Sequence, residues 1–121
     1  MESQNEIAQL QQRIKQFCEE RDWDQYHNPK ELAIGIITEA SELLELFRFQ
    51  SEQEIESMFM RPDKKTAICE EIADVFYFVL RLAQKYNIDL SAELGKKLAK
   101  NEQKYPVAKA KGSNKKYTEL V

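Results

Sequence analysis

The sequence predicts an all-α fold built as a four-helix bundle unit, and three observations carry that prediction. Apolar residues recur at spacings of three and four along most of the chain, with no strand-period stretch of useful length. Only three glycines and three prolines punctuate 121 residues, so the periodic segments run uninterrupted. Helix-start signals stand where those periods begin: Asn28-Pro29 with Glu31, Ser51 with Glu54, and Pro62-Asp63.

The first helix is expected from about Ser3 to Arg21, where Ile7, Leu10, Ile14, Phe17 and Cys18 make one apolar stripe on a polar rod. Asp22 to His27 forms the connector, aromatic for so short a loop. Asn28 caps the second helix and Pro29 takes its first position, where no amide hydrogen is needed. That helix runs to about Phe49, with Leu32, Ile36, Leu43 and Leu46 on one line. Ser51 and Glu54 make a capping-box pattern that opens a short helix to about Met60.

From about Asp63 to Tyr86 a long helix is apolar nearly all round between Ala67 and Ala83. Such a helix must be covered on both sides. A few short neighbours surround it poorly, which predicts a homo-oligomer, a dimer or tetramer. Asp89 or Ser91 opens the last helix, and Pro106 stops it after Lys104. Residues 1–106 therefore read as one helical domain. Residues 107–121, with Lys109, Lys111, Lys115 and Lys116 and no acid before Glu119, read as a basic, mobile tail.

Composition excludes several functions. A mass of 14.2 kDa allows one domain of ordinary size. The net charge of −3 is no footprint for duplex nucleic acid. The longest apolar run, Val75 to Leu80, is six residues, too short for a membrane span, and the N-terminus lacks a signal-peptide layout. Neither GxxxxGK[ST] nor GxGxxG occurs. Cys18 and Cys69 form no CxxC and each has apolar neighbours at helical spacing. Both are expected to be reduced core thiols of a cytoplasmic protein, without disulfide or zinc.

The informative acids are those standing where apolar residues belong. Glu39 lies inside the line Leu32, Ile36, Leu43, Leu46, with Glu42 at the edge of the same face and Glu45 continuing the row. On the long helix, the line Ala67, Glu71, Asp74, Phe78, Leu82 embeds two more acids in the most apolar segment. Buried carboxylates must be neutralised, paired or metal-bound. The nearest basic residues, Arg48 and Arg81, sit one at each helix end. Two resolutions stay open on the residues alone: a hard divalent cation, Mg²⁺ or Mn²⁺, bridging to a phosphate substrate, or interhelical salt bridges at a wet bundle edge. A di-iron bundle wants Glu-x-x-His pairs, and the single histidine, His27, precedes the second helix.

Glu39-x-x-Glu42, 28 intervening residues, then Glu71-x-x-Asp74 resembles the signature of the all-α nucleoside triphosphate pyrophosphohydrolases, the MazG-like superfamily. Within it the sequence is most similar to the dCTP pyrophosphatase branch. Five ordered blocks carry the likeness: Arg21-Asp-Trp-Asp-Gln-Tyr-His-Asn-Pro29, Glu39-Ala-Ser-Glu-Leu-Leu-Glu-Leu-Phe47, Glu70-Glu-Ile-Ala-Asp-Val75, Asn101-x-x-Lys-Tyr-Pro106 and Lys116-Tyr-Thr-Glu-Leu120. The resemblance implies Mg²⁺-dependent hydrolysis between the α and β phosphates of a nucleoside triphosphate, to monophosphate and pyrophosphate, in the service of clearing the nucleotide pool. It makes Glu39, Glu42, Glu71 and Asp74 the metal ligands, with Glu42 chosen here as the acid that orients or deprotonates water. Asn101, Lys104 and Tyr105 match the block that contacts phosphates and sugar.

Trp23 and His27 form, with Tyr26, an aromatic loop placed by the resemblance at the base, and Phe47, Phe49 and Phe78 are expected to complete the pocket. The sequence departs from the branch at two of these positions. Phe49 stands where the branch has Trp, and Tyr77-Phe78 reverses the expected order, which has its hydroxyl-bearing aromatic second. The basic tail either folds over the triphosphate with Lys109 or Lys111, or stays a solubilising end. Rival functions are the same chemistry on dUTP or an oxidised purine nucleotide, and a non-catalytic helical interaction module.

Overall fold

Helices begin and end where the local chemistry requires. The computed structural model describes residues 5–120, and among them lie six α-helices and two 3₁₀ turns, with no strand. The expected start of the first helix at Ser3, and the tail's last residue, Val121, lie outside the described residues.

Helix α1 (Glu6–Glu20) closes with Asp22 in the left-handed region, φ 56°. The Trp23 N–H donates to the Cys18 carbonyl at 2.9 Å and the Asp22 N–H to that of Glu19 at 3.1 Å, the paired bonds of a Schellman motif. A 3₁₀ turn, Asp24–Tyr26, leads to α2 (Pro29–Phe47), whose Glu31 amide donates to Asn28 Oδ1 at 2.8 Å. The helix stops two residues before the expected Phe49, because Arg48 is extended and Phe49 takes φ 66°. The short α3 (Glu52–Met58) carries both bonds of the expected Ser51–Glu54 capping box. Helix α4 (Pro62–Lys85) starts at a proline and is followed by left-handed Asn87. Helix α5 (Leu90–Lys104) is capped by Asp89, which accepts from the Ala92 amide at 3.1 Å, so Asp89 and not Ser91 is the cap.

The chain divides into two units, Met1–Asn87 and Ile88–Val121. In the first, α4 packs on both α2 and α1, more extensively on α2. The core of this unit is drawn from each of its four helices: Cys18, Leu32, Met58, Ile68, Leu80 and Ala83. Covering a Leu or Ile side chain contributes about 1.5–3 kcal/mol, and much apolar surface here forgoes that. On α4, Ile72 and Phe76 are 50% and 43% exposed, and on α2 Ile34, Ile37 and Leu44 face outward. This is the surface that the all-round apolar pattern of α4 leads one to expect of a single chain. It also corrects one expectation: Cys18 is buried, but Cys69 is exposed, because it shares the uncovered stripe of Ile72 and Phe76.

The second unit holds α5, the short α6 (Val107–Ala110) and a 3₁₀ turn, Tyr117–Glu119. The last two occupy the stretch expected to be a mobile tail. Pro106 does end α5, but its fixed φ also suits a helix start, and its carbonyl accepts from the amides of Lys109 and Ala110. Among the described residues no helix is long and apolar enough to cross a membrane.

Candidate active site

The two acid pairs lie on helices packed against each other, Glu39 and Glu42 on α2 and Glu71 and Asp74 on α4, with Glu39 and Glu71 half-buried and Glu42 and Asp74 exposed. Oxygens of Glu39, Glu42 and Glu71 lie within 4.8 Å of one another. Three like charges this close repel unless something intervenes. Burial, followed by the charges of Glu42, Asp74 and Glu71, holds the Glu39 carboxyl above its ordinary 4.5. Burial, then Glu42, Asp74 and Glu70, pushes Glu71 the same way.

Salt bridges do not resolve the repulsion. Arg48 pairs with Glu45 at 3.1 Å and Arg81 with Asp24, and among the described residues no Lys or Arg bridges any of the four acids. Glu71 Oε1 is buried without a hydrogen-bond partner among the described residues. An all-oxygen donor set with an orphaned, buried carboxylate oxygen fits a hard divalent cation.

Next to the acids, Phe17, Trp23, Glu39, Asp74, Tyr77 and Phe78 line a cavity of about 340 Å³. Its aromatic walls brace one another edge-on: Phe17 against Trp23 with centroids 5.5 Å apart, and Tyr77 against Phe78 at 5.0 Å. The Tyr77 hydroxyl shares a hydrogen bond of 3.4 Å with Cys18 Sγ, and burial together with that thiol drives the phenol well above its ordinary pKa. Phe78 reaches the cavity over Gly35, where a Cβ would lie 2.5 Å from its ring. Any other residue at 35 displaces the ring.

Trp23 and Phe78 thus share the cavity with Glu39 and Asp74, but three other expected base contacts lie elsewhere. His27 Nδ1 accepts a hydrogen bond of 2.9 Å from Arg81 Nε, and the ring does not line the cavity. Phe47 stacks on Phe59, centroids 6.2 Å apart, and is likewise outside that lining. Phe49 is 87% exposed in its left-handed conformation, with the Arg48 guanidinium 4.5 Å over its ring. A bulky residue at positive φ is a strained position.

Within the second unit, Lys104 Nζ lies 4.8 Å over the Tyr117 ring, and Tyr105 packs edge-on to Tyr117. The Asn101 carbonyl accepts from the Tyr105 amide at 2.8 Å. Lys97, Lys100, Lys104, Lys109 and Tyr117 border a cavity of about 560 Å³.

Sequence reasoning missed the parts played by Gly35, Cys18, Tyr77 and Arg81. Two had signals: an isolated glycine inside a helical pattern, and a lone cation in the apolar run of α4.

The fold and the site define an all-α protein with a carboxylate cluster set between two helices beside an aromatic cavity. The MazG-like family model matches residues 34–120, and the chain belongs to the MazG-like family. It is 37% identical over 105 residues to dCTP pyrophosphatase 1 of Rattus norvegicus and 35% identical to that of Homo sapiens. Each alignment covers 87% of this chain, which spans 62% of the mammalian proteins' length. The crystal structure of a pyrophosphatase from Archaeoglobus fulgidus superposes with a TM-score of 0.77 at 37% identity, over 83% of this chain and 92% of that one.

Proposed function

We propose that this protein is a divalent-metal-dependent nucleoside triphosphate pyrophosphohydrolase, cleaving the α–β phosphoanhydride of a deoxynucleotide, dCTP or a modified dCTP, to monophosphate and pyrophosphate. The observation that carries the reading is the unpartnered acid cluster opening onto an aromatic cavity. The names of the mammalian relatives point to dCTP as the substrate, and the α–β bond is the one that the resemblance of the acid blocks implies.

Glu39, Glu42, Glu71 and Asp74 hold Mg²⁺, or Mn²⁺ in its place, in this proposal. The cation, when bound, acidifies water and screens charge on the phosphate oxygens. Glu42, the exposed member of the close triplet, orients the attacking water and takes its proton. Trp23 and Phe78 enclose the base, excluding solvent from one end of the substrate and fixing the other against the acids. Within the second unit, Asn101, Lys104 and Tyr105 offer amide, ammonium and hydroxyl donors of the kind that suit phosphate and sugar oxygens.

The uncovered stripes of α2 and α4 support a homodimer or homotetramer, with light scattering as its test. Two free cysteines support a cytoplasmic location.

A pyrophosphate-release assay over canonical and modified dNTPs, with Mg²⁺, Mn²⁺ or EDTA, tests the function. Metal-dependent release of pyrophosphate with monophosphate is expected, fastest on a cytosine nucleotide. Silence from folded protein on every nucleotide overturns it in favour of the helical interaction module.

A further inference from the structure

Arg81 is 1% exposed, yet it is a guanidinium in the middle of the first unit. Withdrawing that charge from water costs several kcal/mol, and a Leu or Met of similar volume avoids the cost. What a Leu or Met lacks is a rigid fork of donors able to hold several acceptors at once. All three nitrogens of Arg81 are used. Nε donates to His27 Nδ1 at 2.9 Å, Nη1 to Gln84 Oε1 at 2.7 Å, and Nη2 to Asp24 Oδ1. One turn on, Lys85 Nζ donates to the Asp24 carbonyl at 2.8 Å.

Three of these bonds tie α4 to the loop of residues 22–27. The loop's other end is fixed by the Schellman bonds of Asp22 and Trp23 to the end of α1. Between the two anchors, the side chain that reaches the cavity is Trp23. We infer that Arg81 is a positioning residue for the base pocket: through Asp24 and His27 it fixes the 22–27 loop, and so holds Trp23 as a wall of the cavity that contains Glu39 and Asp74. The role in catalysis rests on the pyrophosphohydrolase reading above; the placement of Trp23 does not.

The clamp has a built-in proton dependence. Accepting at Nδ1 leaves the neutral His27 ring its proton on Nε2, and a proton on Nδ1 sets two cations face to face. The charged groups around the ring are Arg81 and Lys85 from α4 and Asp24 from the loop. Burial first, then Arg81 and Lys85, hold the imidazole below its ordinary 6.5, against the pull of Asp24.

Trp23 is the only tryptophan, so fluorescence excited selectively at tryptophan reports on this loop alone. Arg81→Met keeps the bulk and removes every donor. In this variant Trp23 is expected to become more accessible to acrylamide. KM for the best nucleotide is expected to rise about tenfold while kcat stays within about threefold, the split of a binding residue rather than a chemical one. Asp24→Ala, at a half-exposed side chain that opens no core cavity, should shift both readouts the same way by less. In the wild type, quenching should increase as pH falls below the ordinary imidazole value of 6.5. His27→Gln, whose amide oxygen accepts from Arg81 without titrating, should flatten that response.

Native quenching and native KM in Arg81→Met, with only Tm reduced, overturn the inference by making Arg81 structural. If that variant does not fold, the same result in Asp24→Ala overturns it. A wild type that turns over no nucleotide removes the pyrophosphohydrolase reading, and the quenching measurements then still decide whether Arg81 places Trp23.

Discussion

Glu71 and Arg81 sit three turns apart on α4, and their surroundings are opposite. Every guanidinium nitrogen of Arg81 has an acceptor, whereas Glu71 Oε1 is buried with no donor among the described residues and three other acids for company. Both arrangements take charge out of water, and both incur its desolvation cost. The first is closed: its partners are all protein, and its product is a fixed loop. The second is open: nothing among the described residues completes it, and the proposed cation would. A satisfied buried polar network fixes architecture, and an unsatisfied one calls for a partner.

The sharpest way to break this contrast is to neutralise one charge on each side. Glu39→Gln should cut kcat/KM by about three orders of magnitude, some 4 kcal/mol of transition-state stabilisation. Its metal-free Tm should rise by a few degrees, because a like charge has gone. Arg81→Met should do the reverse to stability, costing about 2 kcal/mol as Asp24, His27 and Gln84 lose their donor. Differential scanning calorimetry of the two variants reads both signs. Loss of stability in Glu39→Gln would make the acid cluster a structural network after all.

A second test sharpens the pocket side. Gly35→Ala should displace the Phe78 ring, costing about 1–3 kcal/mol from overpacking, offset by about 1 kcal/mol of helix propensity. KM should rise, since the ring moves towards the cavity; a crystal structure of the variant checks the displacement.

The third is a proton titration. The folded-state values of Glu39 and Glu71 are raised, so the metal-free folded state binds more protons than the unfolded one. Their contribution to stability is then fully present below about 4.5 and is lost as pH rises through the raised values. Thermal melts in EDTA should show that loss as pH is raised above about 4.5, and Mg²⁺ should remove it.

The smallest effect belongs to Asp22, in the left-handed region at the end of α1. Asp22→Gly relieves the backbone but loses the 3.2 Å bond from Gln25, so a net gain of about 0.5 kcal/mol is expected in chemical denaturation.

Much of this contrast was legible in the sequence, and the rest was not, for physical reasons. Caps are local chemistry, so Asn28, Ser51 and Asp89 could be read from their neighbours. Glu39 and Glu71 stood out because period 3.6 assigns them to an apolar line. Periodicity identifies a face but not what covers it, which is why Cys69, on a stripe that fits a core, is exposed. The aromatic loop divided for a similar reason. Trp23 went to the cavity and His27 to an arginine 54 residues away, a pairing no local pattern announces. Phe47 found Phe59, at the far end of α3, in the same way.

The claim that the open cluster is held for a cation is tested most directly by titrating Mn²⁺ into the protein and following free Mn²⁺ by electron paramagnetic resonance, for wild type and Glu71→Gln. Saturable binding to the wild type, weakened at least about tenfold in Glu71→Gln with the fold intact, is the predicted result. Equal Mn²⁺ binding by both proteins, or none by either, contradicts it.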